Sequence, residues 1–195
     1  MHIIAGRFKS LPLTSAQSCT RPTTDRTKEA IFSRLDSWGV MTDARVLDLF
    51  AGTGALGVEA LSRGARELVS VEANTQAAAL ILRTAKSLQI AKAWESTLSM
   101  RVLRKRAEQF VADYSGEAFE LVFIDPPYAY ETADCENLLL SMVDHGVASV
   151  QADTLIVLER SARSSAPAVP DGWELFDTRN YGETSVLFIQ PKCAD

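Results

Sequence analysis

From residue 45 onward, short apolar runs alternate with stretches of helical period. Arg45–Leu49 reads as a strand, followed by a glycine-rich turn and a helix over Ala55–Arg63. Glu67–Val71 is a second strand, and a helix runs from residue 75 to about 88. Ser99–Leu103 is a third strand, with a short helix over about 108–113. Residues 119–124 form the most apolar strand, 136–145 a helix and 154–158 another buried strand. Strands that alternate with helices, and that lack polar alternation, predict a parallel sheet covered on both faces. The pattern changes at the end. Residues 173–180 and 184–189 are two strands with Gly182 between them and no helix, so an antiparallel hairpin at the sheet edge is expected. The segment 162–171, rich in Ala, Ser and Pro, is a loop.

The first 40 residues differ. Residues 2–13 carry β-compatible positions around Gly6 and predict a short hairpin or extended arm. Residues 14–24 are rich in Ser and Thr and read as a loop. Asp25 then caps a helix running to about Trp38, with Ala30, Ile31 and Leu35 on one face and Gly39 as its stop. The expected organisation is a small basic arm over 1–24 and one α/β domain over 25–195.

Composition fits that picture. A chain of 195 residues that is 47% hydrophobic is long and apolar enough for one domain with a full core. The longest purely apolar run, 77–82, is far short of the roughly 20 residues that a membrane span needs. The N-terminus lacks a signal-peptide core, so the cytoplasm is the expected compartment. Cys19, Cys135 and Cys193 are widely spaced and predict free thiols. His2 and His145 lack ligand spacing, so no metal site is expected. The net charge of −5 hides an asymmetry. Residues 1–34 hold six basic side chains (Arg7, Lys9, Arg21, Arg26, Lys28 and Arg34) against two acidic ones, while the remainder holds 14 against 23. A basic end on an acidic body suits a local phosphate-binding surface.

Two motifs carry the chemistry. Gly52-Thr53-Gly54-Ala55-Leu56-Gly57 follows a strand and opens a helix, which is the context a nucleotide-type cofactor loop requires. Asp48 sits on the preceding strand just before the turn, where its carboxylate suits a cationic ligand and would repel a pyrophosphate. Glu72 ends the next strand, where a carboxylate can take both hydroxyls of a ribose. Val58-Glu59 stands where a P-loop needs Lys-Ser or Lys-Thr, so an NTPase is excluded. The second motif, Asp125-Pro126-Pro127-Tyr128, follows the most apolar strand and so lies at its carboxyl end, where open α/β sheets bind ligands. An exocyclic base amine is a poor nucleophile. Hydrogen bonds from its two N–H groups to the Asp125 carboxylate and the Pro126 carbonyl would favour a pyramidal nitrogen aimed at a methyl donor. Tyr128 offers a ring on which an extruded base can stack. Together the motifs point to an S-adenosylmethionine-dependent amino-methyltransferase.

Lesser candidates are Ala107 and Glu108, placed near an adenine ring or simply in the first turn of a helix. Tyr130 is either a second stacking group or a surface aromatic. Tyr181-Gly182-Glu183-Thr184 reads as a hairpin turn rather than a site. No Gly-x-Ser-x-Gly elbow is present, which removes the common hydrolase reading.

Over nearly its whole length the chain resembles the RsmD-type 16S ribosomal RNA guanine-N2 methyltransferases. The resemblance rests on Ile3-Ile4-Ala5-Gly6-Arg7-Phe8-Lys9, on Thr20-Arg21-Pro22-Thr23-Thr24-Asp25-Arg26-Thr27-Lys28-Glu29-Ala30-Ile31-Phe32, on the two motifs above, and on Val71-Glu72-Ala73 and Tyr181-Gly182-Glu183-Thr184. It departs at His2, where that family usually has a basic residue. The resemblance implies a Rossmann-like class I methyltransferase fold of seven strands, mostly parallel, with the last strand reversed. It implies methylation of one guanine N2 in 16S rRNA, within the 30S subunit or its assembly intermediate; a monomer is expected. The expected cofactor residues are Asp48, Phe50, Gly52, Gly54, Gly57, Glu72, Ala73, Ala107 and Glu108. The expected catalytic residues are Asp125, Pro126, Pro127 and Tyr128. The expected RNA contacts are Arg7, Lys9, Arg21, Arg26 and Lys28.

Three other readings compete. A DNA adenine-N6 or cytosine-N4 methyltransferase can use the same tetrapeptide, but 195 residues leave no obvious target-recognition domain. A nucleotide-binding oxidoreductase is disfavoured by Asp48 and the Pro-Pro loop. A non-catalytic RNA-binding assembly factor has no need of the Asp125 carboxylate.

Overall fold

The computed structural model describes residues 1–14 and 25–193. Five helices and seven strands follow in the order α1 (Asp25–Trp38), β1 (Arg45–Leu49), α2 (Ala55–Arg63), β2 (Glu67–Val71), α3 (Thr75–Gln89), β3 (Ser99–Leu103), α4 (Ala107–Ala112), β4 (Leu121–Ile124), α5 (Thr132–Asp144), β5 (Leu155–Ser161), β6 (Trp173–Tyr181) and β7 (Thr184–Pro191). The strands form one sheet in the order β3-β2-β1-β4-β5-β7-β6. The pairs from β3 to β5 are parallel. β7 runs antiparallel to both β5 and β6. The expected mostly parallel seven-stranded sheet with a reversed last strand is therefore found. The hairpin closes the edge by inserting β7 next to β5.

The apolar runs become buried strands because both faces of the sheet are covered. One face packs Val46, Leu68, Phe123 and Val157 against α1, α2 and α3, through residues such as Phe32, Leu61 and Ile81. The other packs Leu47, Val69, Val122 and Ile156 against Phe110 of α4 and Leu138 and Met142 of α5. Successive residues of a strand point to opposite faces, so Leu47 and Val46 serve different layers. Local signals fix the helix ends. Asn74 caps α3 by accepting from the amides of Gln76 and Ala77. A reciprocal capping box between Glu131 and Asp134 opens α5 at Thr132, four residues earlier than expected.

The N-terminal arm is a tight hairpin. His2 and Pro12 form a single antiparallel bridge, and Ile3 and Leu13 donate to the carbonyls of Leu11 and Met1. It is built onto α2. Glu59 accepts from the amides of Ile4 and Ala5 at 2.8 and 3.0 Å. Ser62 accepts from the Phe8 amide through its hydroxyl and from the Arg7 amide through its carbonyl. Gly6 allows this approach, since a Cβ there would lie 1.9 Å from the Ser62 carbonyl oxygen. Ile3, Phe8 and Leu13 join the core beneath α1 and α2. Burying one such side chain stabilises by about 1.5–3 kcal/mol.

Cys135 and Cys193 are free thiols; Cys19 lies outside the described residues. Among the described residues no cluster of His, Cys, Asp and Glu could hold a metal. No described helix is long and apolar enough to cross a membrane.

Candidate active site

The order β3-β2-β1-β4-β5 reverses direction between β1 and β4, and that switch point opens a crevice at the carboxyl ends of the strands. Both motifs meet there. β1 pairs with β4 so that Leu49 lies opposite Ile124, which sets Phe50 and Asp125 side by side as the strands end.

The glycine loop turns through left-handed backbone at Phe50, Gly52 and Gly54 (φ 59°, 56° and 74°). Two of these are glycines, which adopt such angles freely. Phe50 is not, and its ring is held edge-on against Tyr130 with centroids 5.1 Å apart. Non-glycine residues in this region carry strain that tends to gather at ligand sites. Glu72 fastens the loop to β2: one carboxylate oxygen accepts from the Gly52 amide and the other from the Asn74 amide, each at 2.7 Å. A carboxylate has about four acceptor sites, so both oxygens retain capacity for hydroxyl donors.

Asp48 sits beneath the loop, 2% exposed. Its Oδ2 accepts from the Gly57 amide at 3.0 Å. Desolvation pushes its carboxyl up to about 8, and the charges of Asp125 and Glu72 add to that; the Gly57 hydrogen bond opposes it. A Cβ on Gly57 would lie 2.5 Å from Leu68 Cδ1 and 2.9 Å from Asp48 Oδ2, so this third glycine is needed for close packing.

Asp125 follows the last residue of β4. Its side chain is open to the water of the crevice yet walled by protein, and that enclosure pushes its carboxyl up to about 6. The Tyr130 amide donates to the Pro127 carbonyl at 2.8 Å, closing a turn after the two prolines. Tyr128 is 70% exposed and stands at the mouth. Burial, then the neighbouring Glu108 carboxylate, raises the Tyr130 hydroxyl above its usual range, so it stays protonated.

The crevice has a volume of about 830 Å³. Of the expected residues, Asp48, Phe50, Gly52, Glu72, Ala73 and Asp125 through Tyr128 line it together. Gly54 and Gly57 shape the turn behind it. Ala107 and Glu108 do not line it: Ala107 is buried in the core, and Glu108 pairs with Arg106 beside Tyr130. The far wall comes from residues the pattern passes over, chiefly Glu159, Arg160, Ser161 and Ser164, with Tyr181-Gly182-Glu183-Thr184. That last tetrapeptide is the β6–β7 turn and also a wall of the site, which corrects its reading as a turn alone. The available signal was the pair Glu159-Arg160, charged residues continuing an apolar run at a strand's carboxyl end.

The basic residues separate. Lys28 is fully buried, 3.4 Å from Glu59 and 3.1 Å from the His2 carbonyl oxygen, so it ties the arm to the body and is not an RNA contact. Arg7 is half-buried and pairs with Glu95 at 3.5 Å. Lys9 and Arg26 are exposed. Arg21, with Pro22 and Thr23, lies outside the described residues. Met1 of the arm and Thr27 of α1 line the crevice. A second basic group comprises Arg101 within β3 and Arg104, Lys105 and Arg106 just past its carboxyl end; Glu67, Asp113 and Glu108 pair with three of the four.

Comparison with known proteins agrees with this geometry. The model of a family described as conserved hypothetical protein 95 matches residues 1–190. Ribosomal RNA small subunit methyltransferase D of Escherichia coli K12 is 31% identical over 192 residues, covering 97% of this chain and 89% of the relative. The solved structure of the Escherichia coli protein yhhF superposes with a TM-score of 0.83 at 29% identity, covering 98% of each chain. The magnesium protoporphyrin IX methyltransferase of Synechocystis PCC 6803 shares the fold alone, with a TM-score of 0.64 at 11% identity over 91% of this chain and 87% of that one.

Proposed function

The chain belongs to the family described as conserved hypothetical protein 95, and we propose that it is an S-adenosylmethionine-dependent methyltransferase acting on the exocyclic N2 amine of a guanine in small-subunit ribosomal RNA. The observation that carries this reading is the meeting, in one crevice, of a glycine cradle with two carboxylates behind it and a Pro-stiffened loop bearing a third.

The donor set suits the cofactor. Asp48 and Glu72 provide carboxyl groups beside a backbone turn, Asp48 ionising as a cation binds, which fits a ligand with a cationic sulfonium and amine at one end and a ribose diol at the other. When bound, S-adenosylmethionine supplies a methyl group on sulfur as electrophile. Glu72 would hold the ribose hydroxyls, and Asp48 would balance the positive charge. The backbone of the turn at Gly52, between Ala51 and Thr53, would carry the ligand.

Across the crevice, the Asp125 carboxylate and the Pro126 carbonyl accept the two N–H groups of the incoming amine, with Tyr128 as the stacking surface. Methyl transfer leaves the nitrogen with a surplus proton, and an ionised Asp125 stands ready to take it. Small-subunit ribosomal RNA as the substrate is supported by the relative named ribosomal RNA small subunit methyltransferase D, and the guanine N2 amine by the family resemblance of the N-terminal segment and the two motifs. Lys9 and Arg26, exposed on the arm and on α1, supply cations for RNA phosphates, and the arm's anchoring to α2 keeps Met1 at the crevice wall.

Nucleoside mass spectrometry of small-subunit rRNA from cells lacking the chain tests this reading. One N2-methylguanosine is expected to disappear and to return with the wild-type gene. Full retention of every N2-methylguanosine overturns it.

A further inference from the structure

β5 enters the core as an apolar strand and ends in charge. Arg160, 9% exposed, lies at its carboxyl end and lines the crevice. Its Nη1 donates to the Tyr130 carbonyl oxygen at 2.6 Å, and its Nη2 lies 3.4 Å from Thr132 Oγ1. Nε has no hydrogen-bond partner among the described residues, so the clamp uses the two Nη groups. Tyr130 in turn donates its amide to the Pro127 carbonyl and sets its ring on Phe50 of the glycine loop.

These contacts matter because the loop has little else. Between Asp125 and α5, Pro126 and Pro127 offer no amide hydrogen, which removes two chances of fixing the backbone from within. An external tie from the neighbouring strand replaces them, and β5 is well placed to supply it, since Leu158 lies opposite Ile124 in the sheet. Only a guanidinium can serve two acceptors two residues apart from one planar fork; an ammonium is a point charge.

We propose that Arg160 is a positioning residue for methyl transfer: it clamps the Pro127–Tyr130 turn to β5 and so holds Asp125 and Tyr128 in the geometry the acceptor amine needs. The proposal rests on the function given above. The clamp also joins the two halves of the crevice, because the same turn presses Tyr130 onto Phe50.

The test uses Arg160→Ala and Arg160→Lys in the full chain, with two readouts. The first is backbone amide exchange, which needs no substrate. Tyr130 should exchange about tenfold faster in Arg160→Ala, while Gly52 and Asn74 exchange as in wild type. The second is methyl transfer to unmodified small-subunit particles. Arg160→Ala should lose about a hundredfold in kcat, as expected for a misplaced reacting group, with S-adenosylhomocysteine affinity within about threefold of wild type. Added guanidinium ion should restore part of the rate, and Arg160→Lys should fall between the two. Unchanged Tyr130 exchange overturns the clamp. So does a wild-type kcat in Arg160→Ala, or a loss of S-adenosylhomocysteine affinity in step with kcat. A wild-type protein that transfers no methyl group would sink the proposed function, while the exchange readout would still decide the clamp.

Discussion

The Gly57 amide donates to Asp48 Oδ2 at 3.0 Å, so the third glycine of the loop and the last polar residue of β1 form one unit. The glycine is there for Asp48 as much as for the turn. A Cβ at 57 would press on Asp48 Oδ2 and Leu68 together. Gly57→Ala should therefore destabilise the fold by about 1–3 kcal/mol, the usual cost of overpacking. It should also weaken S-adenosylhomocysteine binding by displacing Asp48. Denaturant melts and calorimetric titration check both; wild-type affinity in this variant would remove Asp48 from the cofactor site.

Asp48 also makes stability depend on pH. Its folded value of about 8 lies above the ordinary 3.8, so the native state holds the proton more tightly than the unfolded chain. The stability Asp48 contributes to the unliganded protein is fully present below about pH 4 and is lost as pH rises towards about 8. Asp125, at about 6, adds the same sign over the lower part of that range. Asp48→Asn should flatten the fall in Tm between about pH 6 and about pH 8. A cationic ligand favours the ionised carboxylate, so affinity for S-adenosylmethionine should rise with pH over the same window in wild type and not in Asp48→Asn. Parallel pH profiles for the two proteins would contradict this.

Asp125 acts later, on the acceptor. Asp125→Ala should keep S-adenosylhomocysteine binding within a few-fold and lower kcat by about 10²–10³, the scale for one lost electrostatic contact to the reacting group. In wild type, kcat should rise with pH through about 6 as the carboxylate ionises. Single-turnover methyl transfer measures both, and unchanged turnover in Asp125→Ala would refute its role.

Lys28 and the exposed cations should behave in opposite ways. Lys28→Met leaves Glu59 buried without one of its cationic partners and should cost about 3–5 kcal/mol of stability. Lys9→Ala and Arg26→Ala should leave Tm nearly unchanged and weaken RNA binding, with a smaller dependence on salt. Thermal melts and filter binding at two salt concentrations separate the groups. A Lys28→Met protein of normal stability and weakened RNA affinity would reverse the assignment.

Much of this was legible in the chain because buried parallel strands are apolar runs between glycine and charged punctuation. β1, β2, β3 and α2 fall where the pattern places them. What stayed hidden depends on pairing across long separations. β5 runs on to Ser161 because Glu159, Arg160 and Ser161 pair with Val186, Ser185 and Thr184 of β7. That same pairing carries the β6–β7 turn to the crevice wall. Lys28 read as a surface cation because its partner, Glu59, lies 31 residues away on another helix. The start of α5 was set by polar capping residues, to which hydrophobic period is blind.

The most direct test of amine methylation by this crevice combines purified protein, S-adenosylmethionine labelled on its methyl group, and small-subunit particles from cells lacking the chain, followed by digestion of the RNA to nucleosides. Label should appear in N2-methylguanosine alone, at one position, and fall to a trace when Asp125→Ala replaces the wild type. Label in a methylated adenosine or cytidine, or no transfer to RNA by a protein that binds S-adenosylhomocysteine, would contradict it.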